Sequence, residues 1–404
     1  MSDAKLPLSG HGATGDTGST RLLRTRTRSP DLSPRPDAEL EWWFVQGSFS
    51  AGGDERLHFM AALFRVRGID PGATPGHMLL VHVMDEDGNR RASASRITAP
   101  IVSAHAALAR RIAETNFGRW LSGFVLRRHM RDVLSPLRDR DIAEVGAPDR
   151  FAGDPLLVDW LDFFLAQEGD GVRLTLPIDG GGGSAELFMR PLSPWLCETG
   201  DTLDPDLAPP YSYLSCPRVS VQGNVGGRSV SGRAWIDRQW GAFDGWFFTE
   251  ADGRASLLGW DWLGLSFDSG QDLLYMRHQP LALTPPRRGY AVLFDADSVG
   301  LLSGDVVREP VRFWTSPRTG IVYPVGQRIA FPDIGGEIEV TPLVEDQEIL
   351  VFGVPAIWEG AVRAEGRIAG ERVHGAGRLE LFGYGFADTL PRYVGRALRR
   401  RFGP

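Results

Sequence analysis

The sequence predicts an all-β protein built from antiparallel sheets. Short apolar runs of about six to ten residues follow one another from residue 41 to residue 382, separated by turns rich in Gly and Asp. Almost no helical periodicity occurs between these runs, which favours strands joined by short connections. Several runs are apolar on both faces: in residues 256–267, Trp260 and Trp262 alternate with leucines. Such strands are typical of a sheet that closes on itself around a filled or ligand-holding interior.

The predicted strands begin with a hairpin, in which two apolar runs flank the Gly-rich turn at residues 51–54. The next strand ends at the acidic turn of residues 85–89. The apolar runs lie at residues 41–49, 57–65, 77–84, 156–166, 172–178, 185–190, 211–221, 229–236, 245–249, 256–267, 272–276, 290–294, 311–314, 321–329, 337–343, 356–364 and 373–382.

One segment departs from the β pattern. Apolar residues from Phe117 to Val133 recur at helical spacing, and Thr115 is placed to cap the helix. This helix either covers the mouth of a barrel or packs against its outside with its arginines in solvent. A basic tail ends the chain at residues 393–402. It either contacts an anionic membrane surface or forms a terminal helix that keeps the chain in solution.

Composition limits the class of protein. The chain has 404 residues, enough for one large or two medium domains. A formal net charge of -7 argues against general nucleic-acid binding, which needs a basic surface. Cys197 and Cys216 are too few for a disulfide framework and lack zinc-ligand spacing, so we expect two reduced thiols.

The first 36 residues are rich in Gly, Ser, Thr, Pro and Arg, and we expect them to be disordered. They contain no apolar stretch of the kind found in secretory signals. No segment approaches the roughly 20 apolar residues of a membrane span. The sequence therefore predicts a cytoplasmic protein.

Common catalytic motifs do not occur in the sequence. It has no Gly-x-Ser-x-Gly element, no phosphate-binding loop and no dinucleotide fingerprint between a strand and a helix. The eight histidines are scattered without metal-ligand spacing, so no metal site is predicted. His58 and His82 each lie inside an apolar strand, where a hydrogen-bonded wall residue is the default and a catalytic role is the alternative.

Three segments place a carboxylate among tryptophans on predicted strands. They are Glu41-Trp42-Trp43-Phe44, Trp235-Ile236-Asp237-Arg238-Gln239-Trp240 and Trp260-Asp261-Trp262. A carboxylate near indole rings loses hydration, which raises its pKa and favours the neutral acid. The faces of the same rings attract cations. A proton donor with aromatic walls therefore suits acid chemistry on an apolar molecule that carries a double bond.

An ordered set of motifs resembles the carotenoid 1,2-hydratase-like lipocalin superfamily, specifically its AttH-type branch. The resemblance covers roughly residues 36–384, and no single motif carries it. The motifs are Glu41-Trp42-Trp43-Phe44, Val81-His82-Val83, Tyr211-Ser212-Tyr213, Gly232-Arg233-Ala234-Trp235-Ile236-Asp237, Trp240-Gly241, Gly259-Trp260-Asp261-Trp262, Trp314-Thr315-Ser316-Pro317, Tyr323-Pro324, Trp358-Glu359-Gly360, residues 377–380 and Gly383-Tyr384.

This resemblance implies two consecutive lipocalin-like β-barrels with an apolar pocket at the tryptophan-rich strands. It also implies hydration or cyclisation of isoprenoid- or polyketide-like molecules without a cofactor. We therefore predict a disordered segment at 1–36, a first domain at 37–242 with a helical insertion at about 104–134, a second domain at 243–387 and a basic tail at 388–404. Two departures from the family pattern matter: Arg238 stands where His often follows the motif aspartate, and Phe44 replaces a common tyrosine.

Asp237 is the residue that we predict to act as the acid. Trp235 and Asp237 lie two residues apart on a strand and project to the same face, so in a pocket the carboxyl would lie against an indole with little water. The acid would protonate a trisubstituted alkene, and the carbocation would rest against Trp43, Trp260 or Trp262. Water captures the cation in hydration, and an internal double bond captures it in cyclisation.

Further residues complete the predicted site. Glu41 and Glu359 flank tryptophans and are the reserve acids. The predicted substrate-binding residues are Trp42, Trp43, His82, Tyr211, Tyr213, Trp235, Trp240, Trp260, Trp262 and Trp358. In the alternative interpretation the tryptophans fill a barrel core. Asp237 then pairs with Arg238 or another arginine, or accepts backbone hydrogen bonds near Gly241.

Three function classes follow from these alternatives. The first is a cofactor-independent hydratase or cyclase that acts on a hydrophobic small molecule. The second is a pericyclase-type catalyst, in which the shape of the pocket does most of the work. The third is a carrier that binds a hydrophobic ligand without changing it.

Overall fold

The structure is a computed structural model of the 404-residue chain. It describes residues 21–23, 30–50, 56–67, 72–88, 91–104, 142–178, 183–197, 211–241, 258–280, 289–294, 300–353 and 356–384. Most of the predicted helical insertion and the basic tail at residues 388–404 lie outside these ranges. Within them, no helix has the length and apolar character needed to cross a membrane.

Strands make up most of the described chain. The first fourteen are β1 Arg21–Leu23, β2 Leu40–Ser50, β3 Arg56–Val66, β4 Gly76–Asp85, β5 Arg91–Ile97, β6 Ala143–Glu144, β7 Arg150–Ala152, β8 Leu157–Trp160, β9 Phe163–Glu168, β10 Gly171–Pro177, β11 Ser184–Pro191, β12 Leu196–Cys197, β13 Ser212–Val225 and β14 Arg228–Gly241. The other ten are β15 Leu258–Phe267, β16 Asp272–Pro280, β17 Tyr290–Phe294, β18 Gly300–Ser303, β19 Val307–Thr315, β20 Val322–Phe331, β21 Gly336–Pro342, β22 Glu348–Ile349, β23 Ile357–Ile368 and β24 Glu371–Phe382. Residues 99–104 are helical, and Pro332–Ile334 forms one 3-10 turn.

These strands form two curled sheets. The first sheet contains β2–β14, in the order β6-β5-β4-β3-β2-β14-β13-β11-β10-β9-β8-β7, with β12 beside β13. The second contains β15–β24 in the order β18-β17-β16-β15-β24-β23-β21-β20-β19, with β22 beside β23 and β1 beside β18. Among the described strands all pairings are antiparallel except the short one between β5 and β6. The predicted fold class, two consecutive lipocalin-like antiparallel barrels, is confirmed.

Each sheet is apolar on both faces because each face covers a different core. In β2, Trp43 and Val45 face the interior of the first barrel, while Trp42 and Phe44 face the second sheet. In β15, Leu263 and Leu265 belong to the interior of the second barrel, while Trp262 packs edge-on against Phe44 across the interface. The two barrels therefore pack sheet against sheet, and this contact creates a third buried layer between them.

Part of the segment predicted to be disordered is ordered. Leu32 is buried in the first core, and its carbonyl oxygen accepts a hydrogen bond of 2.8 Å from Trp43 Nε1. The carbonyl oxygen of Ser33 accepts a hydrogen bond from Arg238. The polar composition of residues 1–36 does not predict these contacts, because they are made mostly by one leucine and by backbone carbonyls.

Arg238 and Glu41 form a buried ion pair inside the first barrel. Glu41 also contacts Arg65, and both guanidiniums hydrogen-bond to its carboxylate. The Arg238 guanidinium lies 4.0 Å from the centre of the Trp43 ring and donates to three backbone carbonyls. Arg238, the residue after Asp237, therefore stabilises the fold of the first barrel. It points away from Asp237, as strand alternation requires.

Replacing Arg238 with Met should destabilise the protein by roughly 3–5 kcal/mol, because it removes the hydrogen bonds to three buried carbonyls and one partner of the buried Glu41. Chemical denaturation at pH 7 measures this loss. Arg328→Met is the matched control, since it removes only exposed ion pairs, with Glu309 and Glu339, and should cost less than about 1 kcal/mol. Equal losses for the two variants would contradict the role given to Arg238.

Candidate functional site

An apolar cavity lies in the layer between the two sheets. Its volume is about 70 Å³. Strands β2, β3, β4 and β14 line it on one side, and β15, β16, β23 and β24 line it on the other. The lining residues are Leu40, Trp42, Phe44, Ala62, Phe64, Val66, Met78, Leu80, Tyr211, Asp237, Gln239, Trp260, Trp262, Met276, Val351, Phe352, Ile357, Glu359, Glu380 and Phe382. This cavity therefore lies between the barrels rather than in the lumen of either.

Asp237 is the acidic residue that the first sheet contributes to this cavity. Only 1% of its surface is exposed. Its carboxyl accepts hydrogen bonds from Tyr213 Oη at 2.8 Å, Ser215 Oγ at 2.7 Å and Trp235 Nε1 at 2.7 Å. Ser215 lies directly opposite Asp237 on β13, and Trp235 precedes it by two residues on the same face of β14. The antiparallel register thus fixes the orientation of the carboxyl.

Burial raises the pKa of Asp237 to about 7, although the three hydrogen bonds act in the opposite direction. Tyr213 Oη itself accepts a hydrogen bond of 2.8 Å from Trp262 Nε1. This chain of donors connects Trp262 on the second sheet to Asp237 on the first. At neutral pH the carboxyl is present in both protonation states, which suits a group that delivers a proton.

Two further carboxyls reach the cavity from the second sheet. Glu359 on β23 and Glu380 on β24 are directly opposite one another in the register. Burial raises the pKa of Glu380 to about 8; a hydrogen bond from Trp260 and the charge of Arg378 oppose this shift, and the charge of Asp237 adds to it. Burial and the charge of Glu380 raise the pKa of Glu359 well above its ordinary value.

Arg378 is the cation beside this pair. Its Nη1 lies 3.8 Å from Glu359 Oε2 and donates a hydrogen bond of 2.7 Å to the backbone carbonyl of Glu359. One guanidinium cannot neutralise two buried carboxylates, so at least one of Glu359 and Glu380 retains its proton near neutral pH. The cavity therefore contains several carboxyls whose neutral forms are favoured.

Stacked rings form much of the cavity wall. Trp260 lies between Phe382, with ring centres 4.0 Å apart, and Trp42, with ring centres 6.2 Å apart. Tyr211 packs against Trp42 and lies 3.3 Å from His278 Nε2 through its hydroxyl. These rings exclude water from the carboxyls and present faces that attract positive charge.

The structure brings together eight of the predicted site residues. Six of them line the cavity, and Trp235 and Tyr213 hydrogen-bond to the carboxyl of Asp237. The six are Trp42, Tyr211, Asp237, Trp260, Trp262 and Glu359.

Five predicted site residues lie elsewhere. Glu41 is the counter-ion of Arg238 and Arg65, and Trp43 stacks on Arg238 inside the first barrel. Trp240 packs near the same guanidinium, at 5.3 Å. His82 is buried on β4, two residues beyond the cavity-lining Leu80. Trp358 faces the second barrel's interior, where its Nε1 donates to the carbonyl of Glu345.

Glu380, Arg378 and Gln239 were not predicted as site residues. Gln239 lines the cavity, is 5% exposed, and its amide oxygen has no hydrogen-bond partner among the described residues. Arg378 and Glu380 alternate with leucines on β24, which is the ordinary pattern of a strand with one face in solvent, so the sequence carries no signal that the other sheet covers this charged face. Within the described ranges, no group of His, Cys, Asp or Glu side chains is arranged to hold a metal ion.

Comparison with known proteins identifies the family of the chain. Residues 144–384 match the family model described as AttH-like. The chain belongs to the AttH-like family. No curated protein matches the chain.

Two crystal structures share the fold of this AttH-like chain. One is a putative AttH from Nitrosomonas europaea, with a TM-score of 0.61, 23% identity, and coverage of 89% of this chain and 98% of that one. The other is kievitone hydratase from Nectria haematococca, with a TM-score of 0.56, 12% identity, and coverage of 90% of this chain and 94% of that one. The predicted AttH-type resemblance is thereby confirmed.

The raised pKa of Asp237 predicts a pH-dependent stability difference. The folded chain keeps a proton that the unfolded chain releases near pH 4, so this group lowers stability progressively as the pH rises from about 4 to about 7. Asp237→Asn removes the titration. Its stability relative to wild type should therefore increase by roughly 3 kcal/mol between pH 5 and pH 8.

Urea denaturation across this pH range measures the difference. Asp170→Asn is the control, because Asp170 is exposed at a turn and should give a stability curve parallel to that of wild type. A parallel curve for Asp237→Asn as well would show that the Asp237 carboxyl ionises as it does in water.

Proposed function

We propose that the chain catalyses acid-initiated hydration or cyclisation of a carbon–carbon double bond in an apolar, isoprenoid- or polyketide-like molecule. The observation that carries this proposal is the buried Asp237 carboxyl, with a pKa of about 7, in a cavity walled by indoles. A neutral carboxylic acid beside an apolar guest is a proton donor without competing water. The reaction needs only protein side chains, the substrate and, for hydration, water.

The first step transfers the proton of Asp237 to one alkene carbon. A C–H bond forms from the π electrons, the second alkene carbon becomes a cation, and Asp237 becomes a carboxylate. The faces of Trp42, Trp260 and Trp262 lie around the cavity and stabilise the cation, at about 2 kcal/mol or more in a water-poor site. Tyr213, Ser215 and Trp235 stabilise the new carboxylate through the hydrogen bonds they already make.

The second step consumes the cation. In hydration, the oxygen of a water molecule bonds to it and the released proton passes to a carboxylate of the cavity. In cyclisation, an internal double bond attacks and a final C–H bond loses its proton to the same acceptor. Gln239 is placed to orient a water through its unpartnered amide oxygen. The name of the structurally similar kievitone hydratase describes water addition and supports the first route.

The size of the cavity limits how the substrate binds. Pockets for drug-sized ligands typically have volumes of about 300–1,000 Å³, compared with about 70 Å³ here. A substrate must therefore place only its reacting portion between the sheets, or displace one of the rings. Trp42, Trp260 and Phe382 contribute three adjacent rings to the wall, and we propose that one of these rings moves aside for the substrate.

Deuterium incorporation tests the proposed chemistry. Turnover in D₂O should create one non-exchangeable C–D bond in the product, because the attacking proton comes from Asp237, which exchanges with solvent. We would extract the ligand that co-purifies and assay it beside polyprenyl hydrocarbons and unsaturated polyketides, using mass spectrometry. Asp237→Asn should reduce turnover by at least about a thousandfold, and Asp170→Asn should have no effect.

Other outcomes identify the competing classes. A product without deuterium, formed equally well by Asp237→Asn, would point to a pericyclase-type catalyst. A ligand that quenches tryptophan fluorescence but is recovered unchanged would point to a carrier. Either result would overturn the proposal.

The pH dependence of turnover gives a separate prediction. Because neutral Asp237 is the reactive form and its pKa is about 7, kcat should fall about tenfold per pH unit above pH 7 and level off below pH 6. Steady-state rates between pH 5 and pH 9 measure this. A profile that stays level across pH 7 would contradict proton donation by Asp237.

A further inference from the structure

A second cavity lies in the interface between the two sheets, and its character is different. It has a volume of about 530 Å³. Strands β2, β3 and β14 form one wall, and β15, β23 and β24 form the other. Trp235 contributes to this wall, and its Nε1 hydrogen-bonds to Asp237 in the apolar cavity. We name this second cavity the arginine crevice after the side chains that line it.

Four guanidiniums from both barrels line the crevice. They belong to Arg56, Arg233, Arg363 and Arg378. Asp268 is the carboxylate among the lining residues. The crevice is therefore positive, although the chain as a whole carries a net charge of -7.

Glu86 lies at the edge of the crevice and is shared by three basic side chains. Its carboxylate oxygens are 3.9 Å from Arg56 Nη1, 3.3 Å from Arg363 Nη2 and 3.8 Å from His58 Nε2. A single carboxylate cannot neutralise both arginines. Positive charge therefore remains where the two barrels meet.

Among the described residues, two buried polar atoms at the crevice have no hydrogen-bond partner. His58 is 6% exposed and Arg378 is 1% exposed, and both line the crevice. His58 Nε2 and Arg378 Nε each lack a partner within hydrogen-bond distance in the described chain. Because unsatisfied buried groups are costly, such atoms mark a place where a ligand can supply the missing hydrogen-bond partner.

The pKa of His58 also reflects the excess positive charge of the crevice. Burial, together with the charges of Arg378, Arg56 and Arg363, lowers the pKa of His58 to about 4. Glu86 is the nearest negative group and does not outweigh them. An anion in the crevice would add negative charge beside the imidazole and raise this pKa.

We propose that the arginine crevice binds the phosphate or carboxylate group of a small anionic molecule, held by guanidiniums of both barrels. Arginine side chains from β3 and β23 reach the crevice from opposite sheets, as a ligand bridging the barrels requires. Charge-assisted hydrogen bonds from guanidinium to oxyanion are among the strongest polar contacts in proteins. This proposal is independent of the reaction proposed for the apolar cavity.

The test uses the full chain with inorganic phosphate and citrate as probes. In protein labelled with ¹³C-histidine, the His58 resonance at pH 6 should move toward its protonated position as either probe is added. Sodium chloride at equal ionic strength should leave it in place. His58→Gln assigns the resonance. A response to phosphate or to citrate alone supports the proposal and identifies which oxyanion the crevice prefers.

Variants separate the crevice from general surface charge. Arg56→Gln with Arg363→Gln should weaken probe binding at least about tenfold, since two charge-assisted contacts are lost. Arg372→Gln, which removes an exposed arginine of β24 outside the crevice, should leave binding unchanged. The proposal is overturned if neither probe moves the His58 resonance, or if the double variant binds as tightly as wild type.

Discussion

The packing of one sheet against the other is the contact on which the rest of the structure depends. Each barrel has its own interior, but Asp237, Glu359 and Glu380 are buried because the outer face of one sheet covers the outer face of the other. In an isolated barrel these carboxyls would face water and ionise normally. The interface removes that water, and desolvation is the largest cause of the raised pKa of all three groups. The acidity of the site is thus a property of the pair of barrels.

The carboxyls also act on one another. Glu380 feels the charge of Asp237, and Glu359 feels the charge of Glu380, so ionisation of one discourages ionisation of the next. Arg378 offsets part of this repulsion, and its own pKa falls to about 10 through burial. A proton removed from Asp237 can be retained within this group rather than lost to solvent. Because the charge of Asp237 raises the pKa of Glu380, a substitution that removes this charge should lower the pKa of Glu380.

The sequence predicts the strands from local alternation, and the resemblance to the family implies the two barrels. The choice of Asp237 as the acid also rests on alternation, and it stays a prediction. Trp235 and Asp237 share a face in any β-strand, and the structure shows that they do. What alternation cannot reveal is which apolar face looks into a barrel and which looks at the partner sheet. Trp42 and Trp43 are adjacent residues of the same type, yet Trp42 lines the cavity and Trp43 stacks on Arg238. Glu41 and Glu380 lie in different surroundings for the same reason. Glu41 faces the interior of the first barrel, and Glu380 faces the partner sheet.

The same strands line the apolar cavity and the arginine crevice, so charges in one cavity act on groups in the other. On β24, Arg378 lines the arginine crevice and Glu380, two residues later, lines the apolar cavity. The guanidinium charge lowers the pKa of Glu359 and Glu380 on one side and of His58 on the other. Negative charge placed in the crevice offsets that charge, so it favours the neutral forms of the cavity carboxyls. Because coupling between two binding events is reciprocal, protonation of the cavity acids must in turn alter the affinity of the crevice for anions.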